Sequence, residues 1–252
     1  MTASLLLERD GALAILTLNR PDSANTLDPA TGEALCARIE EIAADASVGA
    51  VLLQATGAQF CAGGDIDSMG RSGADLPALL ERHLPRLHRA ILQFASLPVP
   101  VVTAVQGSVG GGGIALALCG DFILAGEAAK LRGGYTALGL SPDLGTSWLL
   151  ARRIGAARAK EVLLGNRLYT AAECEAMGLY SQIWPDHALA AQARQLAGTL
   201  AQGASFALGR TKALVDAAHA RSLGEHLRLE QEAMVQCARQ PQALERIAAY
   251  TA

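Results

Sequence analysis

The sequence has few aromatic residues and no run of charge of one sign. Phenylalanine, tryptophan and tyrosine make up 4% of its 252 residues, and the formal net charge is -3. Nucleic-acid backbones are bound mainly by clustered lysine and arginine, which this chain does not offer. We therefore expect a small-molecule partner, no nucleic acid, and a core large enough for one domain, half of the residues being apolar.

Paired cysteines are also missing. The five cysteines are scattered, with no C-x-x-C pair and no histidine at metal-ligand spacing. This pattern predicts no metal site and a reducing, cytoplasmic location. The first residues, MTASLLLERDG, lack the basic segment of a signal peptide. Residues 99–120 carry no charge, but six glycines interrupt them, so we expect a buried strand, loop and helix rather than a membrane association.

The remaining pattern alternates strands and helices. LLLERDGALAILTLN predicts a hairpin turning at Asp10-Gly11, and Asp28 with Pro29 predicts the start of a helix. Further strands are expected at AVLLQAT, PVVTAV, DFILAG and YSQIW, and further helices at residues 82–94 and 146–164. After Pro185 the sequence is mostly helical. We predict an α/β core over residues 1–188 and a helical region over residues 189–252.

Two glycine-rich stretches each follow a predicted buried strand. They are FCAGGDID and GSVGGGGIALALCGD. Neither matches the dinucleotide-binding pattern G-x-G-x-x-G, and no Lys-Ser or Lys-Thr follows as in a phosphate-binding loop. One such loop alone would favour close packing of a helix on a sheet. Two loops placed alike favour a different function, in which the glycines expose main-chain N–H groups to a developing negative charge.

The chain resembles the crotonase, or enoyl-CoA hydratase/isomerase, superfamily. The similarity runs through LTLNRPDSANTLD, both glycine stretches, GLSPDLGTSWLL, AKEVLLGNRLYTAAECEAMGLYSQIWP and GRTKAL. It implies a spiral of repeated ββα units with a helical C-terminal trimerisation region, and hence a homotrimer or a dimer of trimers. It also implies an acyl-CoA thioester substrate with no separate cofactor, because coenzyme A is part of the substrate.

By the same resemblance, the Gly64 and Gly112 N–H groups form an oxyanion hole for the thioester carbonyl. Asp65 is interpreted as a helix cap or a brace for the loop over the CoA adenine, without a catalytic role. The other residues expected to contact substrate are Ala62, Ile66, His88, Gly111 and Tyr135.

The residues that would choose the reaction differ from those of the hydratases. The two glutamates that handle water in those enzymes correspond to Ala115 and Tyr135 here. Asp143, in SPDLGTSW, stands where several isomerases of the family carry a catalytic Asp, and we interpret it as a proton shuttle for double-bond isomerisation. The pattern Pro-Asp before a helix would suit N-terminal capping equally well.

Three alternatives stay open. Aryl-CoA dehalogenases have an Asp, an aromatic residue and a His at the positions of Asp143, Tyr135 and His88, with Asp as nucleophile. We rank this second because the sequence is poor in ring-binding aromatics and Leu87 replaces a tryptophan of those enzymes. Hydration by a non-standard route and an inert acyl-CoA-binding role are the others. The acyl pocket is expected to be lined by Met69, Leu80, Leu84, Tyr135 and Trp148.

Overall fold

A computed structural model describes residues 3–251 of the chain. Strands and helices alternate up to residue 184, and helices follow. The strands are β1 Leu5–Asp10, β2 Leu13–Leu18, β3 Ala50–Ala55, β4 Val101–Val105, β5 Ser108–Gly110, β6 Phe122–Gly126, β7 Lys130–Arg132, β8 Tyr169–Thr170 and β9 Gln182–Trp184. The helices are α1 Pro29–Ala44, α2 Ile66–Ser72, α3 Leu76–Ala95, α4 Gly112–Leu118, α5 Thr146–Gly165, α6 Ala171–Ala176, α7 Asp186–Ala201, α8 Ser205–Ala217, α9 Leu223–Ala238 and α10 Pro241–Thr251.

Six strands form the main sheet, in the order β1-β2-β3-β4-β6-β9. β1 and β2 are antiparallel and the other neighbours are parallel. Both faces are covered, because Leu53 belongs to the larger core cluster while the adjacent Leu52 belongs to a second cluster with α7 residues such as Ala193 and Ala197. Strands buried on both faces read as continuous apolar runs, as AVLLQA does.

Local signals in the sequence explain several of these elements. The β1–β2 hairpin turns at Gly11, whose φ of 57° a glycine adopts without steric cost. The Asp28 side chain accepts a hydrogen bond from the Thr31 N–H at 2.7 Å and so caps α1 behind Pro29. These two predictions are confirmed. Helix α3 begins at Leu76, six residues before the predicted start at Arg82.

A second, small sheet in the order β5-β7-β8 was not predicted from the sequence. Its strands are two or three residues long, too short for an alternating pattern to be recognised. β5 follows β4 after two residues and lies within the second glycine-rich stretch. This sheet therefore fixes the position of that loop relative to the core.

The two glycine-rich loops are hydrogen-bonded to each other. The Cys61 N–H donates to the Ser108 carbonyl at 3.1 Å, and the Gly110 N–H donates to the Cys61 carbonyl at 3.0 Å. A Cβ at Gly63 would lie 2.9 Å from the Gly110 carbonyl oxygen, and a Cβ at Gly113 would overlap the Cys61 carbonyl oxygen. Glycine is needed at both places because backbone meets backbone.

We predict that Gly113→Ala lowers the free energy of unfolding by about 1–3 kcal/mol, since the added methyl group must displace main chain rather than a side chain. Gly198→Ala is the matched control, because Gly198 lies in helix α7 and a Cβ added there would meet no atom within 4 Å. That substitution should raise the free energy of unfolding by about 0.5–1 kcal/mol. Chemical denaturation measures both, and equal effects of the two substitutions would contradict the close contact.

Candidate active site

The two glycine-rich loops border a cavity of about 560 Å³. Helices α2 and α3, the small sheet and the segment between β7 and α5 complete its walls. The predicted site residues that line it are Ala62, Gly64, Ile66, His88, Gly111, Gly112, Tyr135 and Asp143. Asp65 instead lines a smaller adjoining cavity of about 70 Å³, which also borders Gly64, Gly112 and Asp143. The structure thus brings together residues from both glycine-rich stretches, from helix α3 and from the segment before α5.

Gly64 and Gly112 each offer a main-chain N–H at this cavity. On either side of Gly64, the Leu27 N–H donates to the Gly63 carbonyl at 2.8 Å and the Asp65 N–H donates to the Leu27 carbonyl at 3.2 Å. Gly112 is the first residue of α4, where an N–H has no partner within the helix. Within residues 3–251, neither N–H donates to a protein acceptor. Both residues therefore line the cavity with an N–H group that has no protein acceptor among the described residues.

Asp65 fixes the first loop rather than facing the larger cavity. Its side chain accepts a hydrogen bond from the Ser68 N–H at 2.8 Å and caps helix α2. The Thr26 hydroxyl donates to it at 3.1 Å, and Arg20 lies 3.5 Å away. The Ser68 N–H chiefly, with Thr26 and Arg20, lowers the pKa of this carboxyl. The carboxylate is thus fully engaged in holding the loop, in agreement with its interpretation as a cap.

Asp143 accepts a short hydrogen bond from Tyr135. The Tyr135 hydroxyl lies 2.7 Å from Asp143 Oδ1 and 3.0 Å from the Thr146 hydroxyl. Since a phenol has a single proton, Tyr135 donates to Asp143 and accepts from Thr146. Tyr135 belongs to a 3-10 turn at residues 135–138, and Thr146 begins α5. The other carboxylate oxygen of Asp143 has no partner among the described residues and remains available to a ligand.

The environment keeps Tyr135 protonated. Burial raises the pKa of the Tyr135 hydroxyl, and the charge of Asp143 raises that pKa further. The hydroxyl is therefore a hydrogen-bond donor at neutral pH. It cannot act as a base toward a bound substrate, and its role is to hold the Asp143 carboxylate.

Asp143 does not cap helix α5. The cap residue is Gly145, which has a φ of 79° and no side-chain hydrogen bond. Only the Asp143 carbonyl contacts the helix start, accepting from the Thr146 N–H at 2.9 Å. The Asp143 side chain therefore does not act as a helix cap, and the capping alternative is wrong.

His88 reaches the same segment from helix α3. Its Nε2 accepts a hydrogen bond from the Leu144 N–H at 3.3 Å. A neutral imidazole has one acceptor nitrogen, so the proton of this tautomer lies on Nδ1. His88 in this arrangement holds the Asp143–Leu144 turn through its Nε2 atom.

Several residues of the cavity wall were not predicted from the sequence, and one predicted residue lies elsewhere. Met69, Leu80 and Leu84 line the cavity as expected. Trp148 does not: it is 62% exposed and borders a different cavity beside α8. The unpredicted lining residues include Ser108, Lys130, Arg132, Leu138 and Leu168. In KLR, a buried leucine between two exposed cations is the alternation of a half-buried strand, and this signal could have placed both cations on one face.

Comparison with known proteins identifies the family. The sequence model described as enoyl-CoA hydratase/isomerase matches residues 8–251. The chain is 37% identical, over 86% of its length and 83% of the relative's, to the 1,2-epoxyphenylacetyl-CoA isomerase of Escherichia coli (strain K12). Among solved structures, an enoyl-CoA hydratase from Polaromonas sp. JS666 has a TM-score of 0.92 and 30% identity, covering 99% of this chain and 97% of that one.

A further solved structure, the enoyl-CoA hydratase of Bacillus anthracis, has a TM-score of 0.92 at 28% identity and covers 99% of this chain and 96% of that one. The chain therefore belongs to the enoyl-CoA hydratase/isomerase family, that is, to the crotonase superfamily, and is an acyl-CoA enzyme of that family. The predicted α/β fold of crotonase type, with its C-terminal helices, is confirmed. No helix in residues 3–251 is long and apolar enough to cross a membrane.

Proposed function

We propose that this protein isomerises a double bond, or a ring-derived equivalent, in an acyl-CoA thioester. The Gly64 and Gly112 N–H groups bind the thioester oxygen, and Asp143 carries the proton. The observation on which this rests is the Asp143 carboxylate, held at one oxygen by Tyr135 and facing the cavity that contains both unpaired N–H groups. Coenzyme A is part of the substrate, and no separate cofactor takes part in these steps.

The main-chain donors lower the cost of forming an enolate. Polarising the thioester carbonyl makes the neighbouring C–H acidic and stabilises the anion left when the proton departs. Donors fixed in a site that excludes water contribute about 3–4 kcal/mol each to such a transition state. The free carboxylate oxygen of Asp143 removes a proton from one carbon and returns it to another, while the dienolate stays bound between the steps.

The side chains at the cavity favour isomerisation over paired-glutamate hydration. Ala115 is buried in α4 and Tyr135 is kept neutral, so neither supplies a carboxylate. Of the described residues that line the larger cavity, only Asp143 is acidic. Water addition needs one group to activate water and another to protonate carbon, whereas a proton shift needs a single base. The E. coli relative is itself named an isomerase.

Dehalogenation is less well supported than isomerisation. It would require His88 to activate the water that hydrolyses an aryl ester of Asp143. The Nε2 atom of His88 is already engaged by the Leu144 N–H.

Gly112→Pro tests the oxyanion hole, because proline removes the N–H yet suits the first residue of a helix. We predict that turnover falls at least about a hundredfold. Gly112→Ala is the control: it adds a Cβ, 2.9 Å from the movable Leu144 Cδ1, and keeps the N–H. Steady-state kinetics on folded variants compare the two. Near-normal turnover of a folded Gly112→Pro enzyme would rule out this donor.

Asp143→Asn separates a proton shuttle from a nucleophile. A shuttle never bonds to carbon, so the variant should lose both isomerisation and the exchange of substrate γ-hydrogen for solvent deuterium, at least about a hundredfold. A single turnover of the unmodified enzyme in oxygen-labelled water should leave no label in Asp143. Label in Asp143, halide release from a halobenzoyl-CoA, and an ester trapped in His88→Gln would together establish the dehalogenase instead.

We also propose that the chain assembles as a homotrimer or a dimer of trimers through its C-terminal helices. The family resemblance motivates this arrangement, and exposed apolar side chains on α9 support it. Leu223, Leu227 and Met234 are 73%, 52% and 72% exposed. Such a stripe is large for a helix that faces only solvent.

Light scattering at micromolar concentration should give the mass of three or six chains of 26.1 kDa. Leu227→Asp places a charge in the proposed interface and should lower that mass, because an unpaired buried charge is costly. Glu230→Asp, a substitution on the same helix that keeps its charge, is the control and should leave the mass unchanged. A monomeric unmodified protein would refute the assembly.

A further inference from the structure

The cavity face of the small sheet carries two cations. Lys130 and Arg132 both line the cavity, while Leu131 between them is 1% exposed and belongs to the core. Their register partners on β5, Ser108 and Gly110, line the cavity as well. One wall of a mostly apolar pocket is therefore positively charged, close to the loop that carries Gly112.

Arg132 is held in place by Asn166. The Arg132 Nε donates to the Asn166 carbonyl at 3.0 Å and to its Oδ1 at 3.1 Å. Asn166 ends helix α5 with a φ of 51°, and its Oδ1 also accepts from the Gly134 N–H at 3.0 Å. Only the Nε of the guanidinium is used in these contacts. In the described part of the chain, the two terminal nitrogens have no acceptor, so the group has an ordered stem and free donors.

Among the described residues, no acidic side chain balances this charge. Neither Lys130 nor Arg132 forms an ion pair within residues 3–251. Asp143, the acidic residue of the lining, is engaged by Tyr135 instead. An arginine with free paired donors suits a carboxylate, which can accept two parallel N–H bonds.

The position of Arg132 limits which anion it meets. Arg132 lies opposite Gly110, two residues before Gly112. With strands about 4.8 Å apart and at most about 3.6 Å per residue, the Arg132 backbone lies within about 12 Å of the Gly112 backbone. Arg132 and Gly112 line the same cavity. The phosphates of coenzyme A are separated from the thioester by the whole pantetheine arm, whereas the far end of a short acyl chain is not.

We propose that Arg132 binds a carboxylate at the far end of the acyl group, so that the substrates include thioesters of short dicarboxylic acids. This inference rests on the proposed binding of an acyl-CoA at Gly64 and Gly112. It does not depend on whether the reaction is an isomerisation. Lys130 lies opposite Ser108, two residues further along the same strand from the Gly112 loop than Arg132, and is therefore the comparison residue.

Calorimetric titration with adipoyl-CoA and hexanoyl-CoA tests the proposal. Both are saturated thioesters that bind without turnover, and they differ at the chain end, one carrying a carboxylate. The quantity measured is the ratio of the hexanoyl-CoA to the adipoyl-CoA dissociation constant. Arg132→Met should lower this ratio at least about tenfold, because it removes a charge-assisted pair. Lys130→Met is the matched control and should change it by less than about twofold.

A second titration distinguishes binding of the acyl carboxylate by Arg132 from binding of the coenzyme A phosphates. Adipoyl-pantetheine lacks the nucleotide, and Arg132→Met should weaken its binding as much as that of adipoyl-CoA. If Arg132→Met weakens hexanoyl-CoA and adipoyl-CoA equally, or if its effect vanishes with the pantetheine thioester, Arg132 binds a phosphate and the proposal is wrong. An unchanged ratio also overturns it. If neither CoA thioester binds the unmodified protein, the acyl-CoA site itself is refuted; a failed isomerase assay with intact binding leaves this result standing.

Discussion

Two hydrogen bonds between the glycine-rich loops support the whole candidate site. The Cys61 N–H to Ser108 carbonyl bond and the Gly110 N–H to Cys61 carbonyl bond join segments that follow β3 and β4, two neighbouring parallel strands. Because the carbonyl ends of parallel strands lie at one edge of a sheet, the loops leave the core side by side. The contact is main chain against main chain, so it sets the separation of Gly64 and Gly112 more rigidly than side-chain packing could. Burial raises the pKa of the Cys61 thiol to about 12, so Cys61 stays neutral where the two loops are hydrogen-bonded.

The second half of the site depends on a chain of three hydroxyl and carboxyl groups. Thr146 donates to Tyr135, and Tyr135 donates to Asp143. Each bond fixes the next group, and the carboxylate is left with one oxygen committed and one open. The Leu144 N–H to His88 bond ties the same turn to helix α3. A base that must return the proton it removes needs such fixation, because a rotation of the carboxylate between the two steps would misdirect the proton.

The sequence was informative where a feature is local or repeated. The Asp28 cap, the Gly11 turn and the apolar strands depend on residues within a few positions of one another, and they are as expected. The meeting of both glycine loops followed from their like placement after two strands. The small sheet was missed because its strands are too short to carry a period, and with it the cationic wall at Lys130 and Arg132. The role of His88 could not be read either, since a hydrogen bond to a main-chain N–H fifty-six residues away leaves no trace in the side-chain pattern.

The division between main-chain donors and side-chain bases bears on the design of inhibitors. In the proposed mechanism, a stable mimic of the thioester enolate would draw its affinity from the Gly64 and Gly112 N–H groups, which any relative with the same two loops can supply. Such a compound would therefore bind many members of the family alike. Discrimination would have to come from groups outside the proposed oxyanion hole, because selectivity is a difference between two affinities. The Tyr135–Asp143 pair and the free donors of Arg132 are side-chain groups that an added substituent would contact for this purpose.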